Sequence, residues 1–330
     1  MATSTQLYPL RFHAYFKEKL WGGTKIREVL GKDYGDLRNC GETWEISGVD
    51  GHISIVKEGP LAGQKLTDLM SEYKGELLGN RVYEAFGDRF PLLVKFIDAN
   101  DDLSIQVHPD DELAKERHNS FGKTEMWYIM QNDPGASLIS GFNREVSQEI
   151  YEEHFNSGRL TDILNREMAE AGDVFFLPAG RVHTIGKGLL LAEIQQTSDI
   201  TYRIYDFDRV GADGKKRELH VEQALAAIDY KYYDDIKTKY EVEKNKPVEL
   251  ASCPYFTTNR LHLTQGAIRK YNKLDSFVIY VVASGKAKLD YGHGSLNIEM
   301  GDAVLLPAAL KDVTLTPEGE IDMLEAWVTQ

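Results

Sequence analysis

Residues 172–183 read Gly172-Asp173-Val174-Phe175-Phe176-Leu177-Pro178-Ala179-Gly180-Arg181-Val182-His183, a turn, a strand and a second turn in twelve residues. Gly172 permits a tight turn that side chains bearing a Cβ rarely enter, and it leads into a run of β-prone apolar residues. Pro178 and Gly180 turn the chain out again, with His183 on the return. The same punctuation recurs late in the chain. Gly301-Asp302-Ala303-Val304-Leu305-Leu306-Pro307 repeats the glycine and proline at equal separation, with Ala309 in place of the second glycine and Asp312 in place of the histidine. The chain therefore holds two β units by internal repetition, and only the first keeps its imidazole.

The glycine, proline, glycine and histidine spacing of residues 172–183 resembles the second motif of the cupin superfamily. That resemblance implies a mostly β protein of tandem cupin (jelly-roll) β-barrels, with His183 aimed into the first. Upstream, Leu103-Ser104-Ile105-Gln106-Val107-His108-Pro109-Asp110-Asp111 follows Leu93–Ala99 across an Asn100-Asp101-Asp102 turn. Its alternation predicts a strand that puts Leu103, Ile105 and Val107 on one face and Ser104, Gln106 and His108 on the other. An amide and an imidazole two residues apart on one face can supply two metal ligands from a single strand. With Glu125, on the aromatic strand Lys123–Met130, and His183, they form a set of two imidazoles, one carboxylate and one amide oxygen. Such donors suit Zn²⁺, one per chain, with an open position for water or substrate; manganese, iron or cobalt would also be tolerated.

Composition bounds the alternatives. With 330 residues, 42% hydrophobic and 27% charged, the chain can bury a large core in two domains or one core with insertions. A net charge of -14 excludes a general nucleic-acid surface and requires any anionic ligand to be held by local cations. There is no Walker-type loop and no strand-linked GxGxxG, hence no expectation of a nucleotide cofactor. No apolar run reaches the roughly 20 residues of a membrane helix. Met1–Gln6 lacks the pattern of a secretory signal, and Cys40 and Cys253 form no CxxC pair, so a reducing cytoplasm is expected.

The remaining elements follow from periodicity. Leu7–Ile55 suggests short strands with glycine turns, in which Trp21 and Trp44 read equally as core packing or as site residues and periodicity does not rank Glu42 and Glu45. Small helical segments are expected at about 61–90, 144–170 and 220–229, the first as one or two short helices. Asp110–Lys115 reads as a helical turn with Pro109 at its start. Strands are expected over 189–196 and 200–207. A catalytic metal-binding domain is expected over 1–236, and a degenerate cupin domain without a metal site over 237–330. The histidines other than His108 and His183, His52 among them, receive no role.

Five strings in order then become specific: Gln106-Val107-His108-Pro109-Asp110, Gly122-Lys123-Thr124-Glu125, Pro178–His183, Glu193-Ile194-Gln195-Gln196, and Tyr202–Arg209. Together they resemble the type I mannose-6-phosphate isomerases in their shorter bacterial form, over nearly the whole chain. Gln106-Val107-His108 replaces the His-x-His of a standard cupin, and Glu125 lies further along than usual; the isomerase family shares both departures. The resemblance implies a zinc enzyme, with a small α-helical insertion, that interconverts mannose 6-phosphate and fructose 6-phosphate. Carried over by position, its metal ligands are Gln106, His108, Glu125 and His183, and its catalytic arginine is Arg203. Monomers or weak homodimers are expected, with neither nucleic acid nor membrane as partner.

Aldose–ketose isomerisation needs a base, a proton shuttle between the sugar oxygens, and an electrophile for the developing oxyanion. Lys95 and Lys123 are candidates for base or phosphate partner, the base role requiring a lysine pKa lowered by burial and a nearby cation. Glu193 is an alternative base or a lysine-orienting group. Arg203, always charged, suits phosphate or enediolate better than proton abstraction. Two other classes compete: a non-catalytic sugar-phosphate-binding cupin acting as a regulatory module, and a metal-dependent oxygenase, which Gln106 in place of histidine disfavours.

Overall fold

The computed structural model describes residues 6–211 and 214–329, so the first five residues, read above for a secretory signal, lie outside the described residues. In the first unit the strands are β1 (Tyr15–Lys17), β2 (Glu42–Ile46), β3 (Leu92–Ala99), β4 (Ile105–Val107), β5 (Glu125–Asn132), β6 (Ser137–Phe142), β7 (Leu164–Met168), β8 (Val174–Leu177), β9 (His183–Ile185), β10 (Leu189–Gln196) and β11 (Tyr202–Tyr205). They form two antiparallel sheets, ordered β1-β2-β3-β10-β5-β8 and β11-β4-β9-β6-β7. The mostly β jelly roll expected from the sequence is thus built as two facing sheets.

Alternation sorts each strand between two environments. Leu92, Val94 and Phe96 of β3, Met126 and Tyr128 of β5, and Leu190, Ala192 and Ile194 of β10 join one large core cluster. Ile97, Trp127, Ile129, Leu189 and Leu191 face the other way and pack with Leu138 and Ile185 from the second sheet. The outer face of that second sheet, Ile105, Val107, Tyr202 and Ile204, packs under a third cluster. Lys95, Glu125 and Glu193 therefore share the inner face, between the sheets.

Three helices, α2 (Leu66–Tyr73), α3 (Gly75–Leu78) and α4 (Asn80–Phe86), replace the one or two expected, after an unexpected single turn α1 (Lys25–Glu28). Helix α5 (Asp111–His118) is capped by Asp110, whose side chain accepts from the Leu113 N–H at 2.9 Å; Pro109 stands ahead of the cap, not at the first helical position. Helix α6 (Gln148–Asn156) ends at Ser157-Gly158, a 3₁₀ turn covers Leu160–Ile163, and α7 is Val221–Ala227. The helical segment expected over 144–170, in two pieces divided at Ser157-Gly158, has that break but fails at Leu164. From there the chain is strand β7, because pairing with β6 (Ser137 opposite Met168) overrides local spacing. The strand expected over 103–108 is also shorter: Leu103 precedes β4 and joins the inter-sheet cluster instead of sharing a face with Ile105.

The second unit comprises β12 (Pro247–Ser252), β13 (Thr257–Leu263), β14 (Ala267–Lys270), β15 (Val278–Asp290), β16 (Ser295–Glu299), β17 (Ala303–Leu306) and β18 (Asp312–Trp327). Its sheet runs β12-β13-β18-β15-β16, with β14 on β18 and β17 on β15. Register shifts flank Gly285 on β15, where an added Cβ would stand 2.1 Å from the Glu320 carbonyl oxygen; only glycine fits this bulge. Leu10 and Leu305 exchange backbone hydrogen bonds of 2.8 and 2.9 Å, and the large core contains residues of both units. No helix among the described residues is long and apolar enough to cross a membrane.

Candidate active site

The site grows from cross-strand register. On one sheet Arg203 pairs with Gln106, and Gln106 with His183. On the facing sheet Lys95 pairs with Glu193, Glu193 with Trp127, and Gln195 with Glu125. His108, one residue past β4, completes the group. His108, Glu125 and His183 are buried, and one ligand atom from each lies within 4.8 Å of the others.

Hydrogen bonding sets which nitrogens are available. His108 Nδ1 donates to the Ile200 carbonyl at 2.9 Å and His183 Nδ1 to the Arg181 carbonyl at 2.8 Å. A carbonyl only accepts, so each ring keeps its proton at Nδ1 and turns an Nε2 lone pair toward Glu125, at 3.6 Å from His108 and 3.2 Å from His183. Both Glu125 oxygens are buried without a well-directed hydrogen bond. The positive charge beside them is the Lys123 ammonium, 2.9 Å from Glu125 Oε2 and 3.0 Å from His108 Nε2. Gln106 Nε2 stands 3.3 Å from His183 Nε2, and the same amide turned over offers its oxygen there. A buried carboxylate short of donors, two lone pairs aimed at it and an amide fit a divalent cation.

The electrostatics agree. Burial pushes Glu125 up to about 7, with the Glu193 charge adding to it and Lys123 opposing. Burial holds His183 down to about 4, and burial followed by Lys123 holds His108 well below the usual imidazole range, so both rings are neutral as ligands must be. Beside them Lys95 Nζ lies 2.9 Å from Glu193 Oε1, while Trp127 Nε1 donates to Glu193 Oε2 at 2.8 Å. Burial opposes charge on both partners, but mutual attraction prevails: Glu193 is held below the usual range, and Lys95 is raised. The lowered pKa that a lysine base requires is therefore not found at Lys95, because Glu193 and Glu42 outweigh its burial.

Gln106, Lys95, Lys123, Glu193 and Arg203 all line one cleft of about 410 Å³ between the sheets. Arg203 Nη1 donates to the Glu218 carbonyl at 2.8 Å, and its buried Nε has no partner. Residues given no role from sequence share this cleft: Lys17, Glu42, Trp44, His52 and Arg217. The alternation of Tyr15-Phe16-Lys17 could have marked Lys17 as facing away from Phe16. What it faces depends on pairing with β2, which local pattern does not contain. The geometry presents an electrophile site, proton-carrying groups and a fixed cation around one chamber, the requirements of proton transfer next to a carbonyl.

Comparison with known proteins gives concordant results. A family model described as phosphomannose isomerase type I, catalytic domain, matches residues 10–138, and one described as mannose-6-phosphate isomerase, cupin domain, matches 239–323. Mannose-6-phosphate isomerase of Streptococcus mutans is 34% identical over 304 residues, covering 92% of this chain and 93% of its own. Mannose-6-phosphate isomerase ManA of Bacillus subtilis is 36% identical over 313 residues, 93% and 95% of the two chains. The crystal structure of a mannose 6-phosphate isomerase from Bacillus subtilis superposes with a TM-score of 0.87 at 33% identity, covering 96% of this chain and 99% of that one. With sequence, fold and site in agreement, the chain belongs to the type I mannose-6-phosphate isomerases, a family of cupin aldose–ketose isomerases.

Proposed function

We propose that the protein interconverts mannose 6-phosphate and fructose 6-phosphate through an enediol(ate). The observation that carries this is the buried His108–Glu125–His183 cluster, in contact through Lys123 with a cleft that Lys95, Lys123, Glu193 and Arg203 line. A divalent ion, zinc by its donor set, would be held by Gln106, His108, Glu125 and His183, and would supply a Lewis acid for the sugar's carbonyl and hydroxyl oxygens.

The rest falls to the chain's own side chains. The hydrogen on C2 leaves as a proton to the base and the C1 carbonyl oxygen becomes the enediolate O1; the O2 proton then passes to O1 and the base returns its proton to C1, which yields the ketose with no electrons gained or lost overall. Lys95, Lys123 and Glu193 are the proton-handling group, with Glu193 kept ionised by Lys95 and Trp127. The Arg203 guanidinium, with its unpartnered Nε, offsets the enediolate charge. The second unit, from about residue 237, acts without a metal of its own, since Asp312 stands where the first unit has His183. The protein works in the cytoplasm as a monomer or weak homodimer.

A coupled assay for fructose 6-phosphate formed from mannose 6-phosphate, on chelated and zinc-restored protein, tests the proposal. Metal-dependent turnover that disappears in His108→Ala is the expected result. A metal-loaded, folded protein without turnover would sink it.

A further inference from the structure

Of the cations that line the cleft, all but Arg203 and Lys17 have a carboxylate in contact, and Arg203 is held by the Glu218 carbonyl. Lys95 is paired with Glu193 at 2.9 Å, Lys123 with Glu125 at 2.9 Å, and Lys19 with Glu42 at 3.2 Å. Arg217 is held by the Asp206 carboxylate. Lys17 differs: among the described residues no carboxylate lies within ion-pair distance of its Nζ. It hydrogen-bonds instead to His52 Nε2 and sits over the Trp44 ring, 4.6 Å from the centroid. An ammonium can only donate, so His52 Nε2 accepts and the imidazole is neutral. The Lys17–His52 pair therefore keeps a full positive charge in the cleft wall, without a counter-charge in contact.

The surroundings leave that charge unsatisfied. Burial and the Lys19 charge disfavour the Lys17 cation, Glu42 and Asp199 favour it at longer range, and Lys95 opposes it; the balance holds its pKa below the ordinary lysine value. His52 likewise stays neutral through burial and the Lys17 charge, against Asp199 and the Asp50 backbone. An anionic ligand would restore what burial takes from Lys17.

Position selects which anion. Strand β1 lies two places from β3 in the sheet; across β2 between them Lys17 pairs with Glu42 and Lys95 with Trp44, two residues apart, and both ammonium groups reach the Trp44 ring. At about 4.8 Å per strand spacing, two places are roughly 10 Å, comparable with the reach of an open six-carbon chain carrying a terminal phosphate. Lys95 itself lies over the same Trp44 ring, at 5.3 Å. A sugar whose C1 and C2 stand at Lys95, Lys123 and Glu193 thus extends across Trp44 toward Lys17.

We propose that Lys17, oriented by His52 and Trp44, anchors the phosphate of the sugar phosphate at the outer end of the cleft. The proposal rests on the isomerase function above, and the experiment separates the two. Lys17→Met keeps the aliphatic stem on Trp44 and removes the charge; Lys17→Gln is the second variant, and Lys17→Arg is the conservative one. Steady-state kinetics on zinc-loaded enzyme should show KM for mannose 6-phosphate raised about tenfold to a hundredfold in Lys17→Met and Lys17→Gln. kcat should stay close to wild type, and Lys17→Arg should restore most of the affinity. Binding of inorganic phosphate, followed by calorimetry, should weaken in parallel.

Unchanged KM and unchanged phosphate binding in either folded neutral variant would overturn the anchor. A raised KM with unchanged phosphate binding would also overturn it, assigning Lys17 to a sugar hydroxyl. A wild-type enzyme without turnover would defeat the isomerase reading, and the calorimetric comparison would still decide whether Lys17 binds phosphate.

Discussion

Glu193→Gln removes one half of a buried ion pair, and the consequence can be worked out from its surroundings. Lys95 and Glu193 have side chains only 7% and 3% exposed and meet at 2.9 Å. Removing one partner of such a pair strands the other charge and costs 3–5 kcal/mol as a rule. Here Glu42 and Glu125 also favour the Lys95 cation, which puts the loss near the lower end, about 3 kcal/mol. Lys95→Met strands Glu193, which retains Trp127 and the Lys123 charge, for a similar cost. The double variant Lys95→Met/Glu193→Gln strands neither charge and should be no less stable than either single variant. The coupling is then on the order of 3 kcal/mol. At roughly 2 °C per kcal/mol, each single change lowers Tm by about 6 °C and the double change by about the same. Differential scanning calorimetry on metal-free protein makes the comparison without a contribution from metal affinity. A double variant whose loss equals the two single losses together would refute the claim that the pair acts as a unit.

Other outcomes follow from the same geometry. His108→Ala should lower bound zinc by plasma emission analysis and remove the rise in Tm that zinc gives the wild type, since one of three clustered ligands is lost. Arg203→Lys keeps the charge but not the planar fork, so kcat should fall by roughly a hundredfold with a smaller change in KM; kcat retained would remove Arg203 from the chemistry. Asp98, fully buried on β3 and raised to about 6 by burial, gives stability that is present below about pH 4 and lost as pH rises through 6. Stability of Asp98→Asn relative to wild type should therefore rise by about 2 kcal/mol between pH 4 and pH 7 at 1.36 kcal/mol per unit; a difference independent of pH in urea titrations would contradict the shift.

The placement of several candidate site residues is legible in the sequence. Alternation marked Gln106 as sharing a face, and His183 follows from a turn spelled by Gly172, Pro178 and Gly180; Gly172 and Gly180 indeed have φ of 92° and 87°. Glu193 was conspicuous as a carboxylate in an otherwise apolar run, Leu189–Ile194, and β10 is buried along its whole length. Failures came where long-range pairing overruled local pattern. Leu164–Met168 continues a helical rhythm in sequence but becomes an edge strand because β6 lies beside it. Leu103 reads as a strand residue facing with Ile105, yet it enters the inter-sheet core because β4 begins only two residues later.

Residue pattern along the chain is enough to mark a mostly β fold, candidate metal-type donors in its first part, and a chain too acidic to hold an anion except by local cations. These are properties of turns, alternation and charge, all decided within a few residues along the chain. Tertiary structure alone decided which side chains meet. Lys17 faces Glu42, Trp44 faces Lys95, and Lys95 faces Glu193 only because β1, β2, β3 and β10 pair in that register. A shift of one residue in any of those pairings would send the same side chains to the opposite core. The chemistry of each residue is local, but the cleft is a property of register, and register is settled by burial between distant strands.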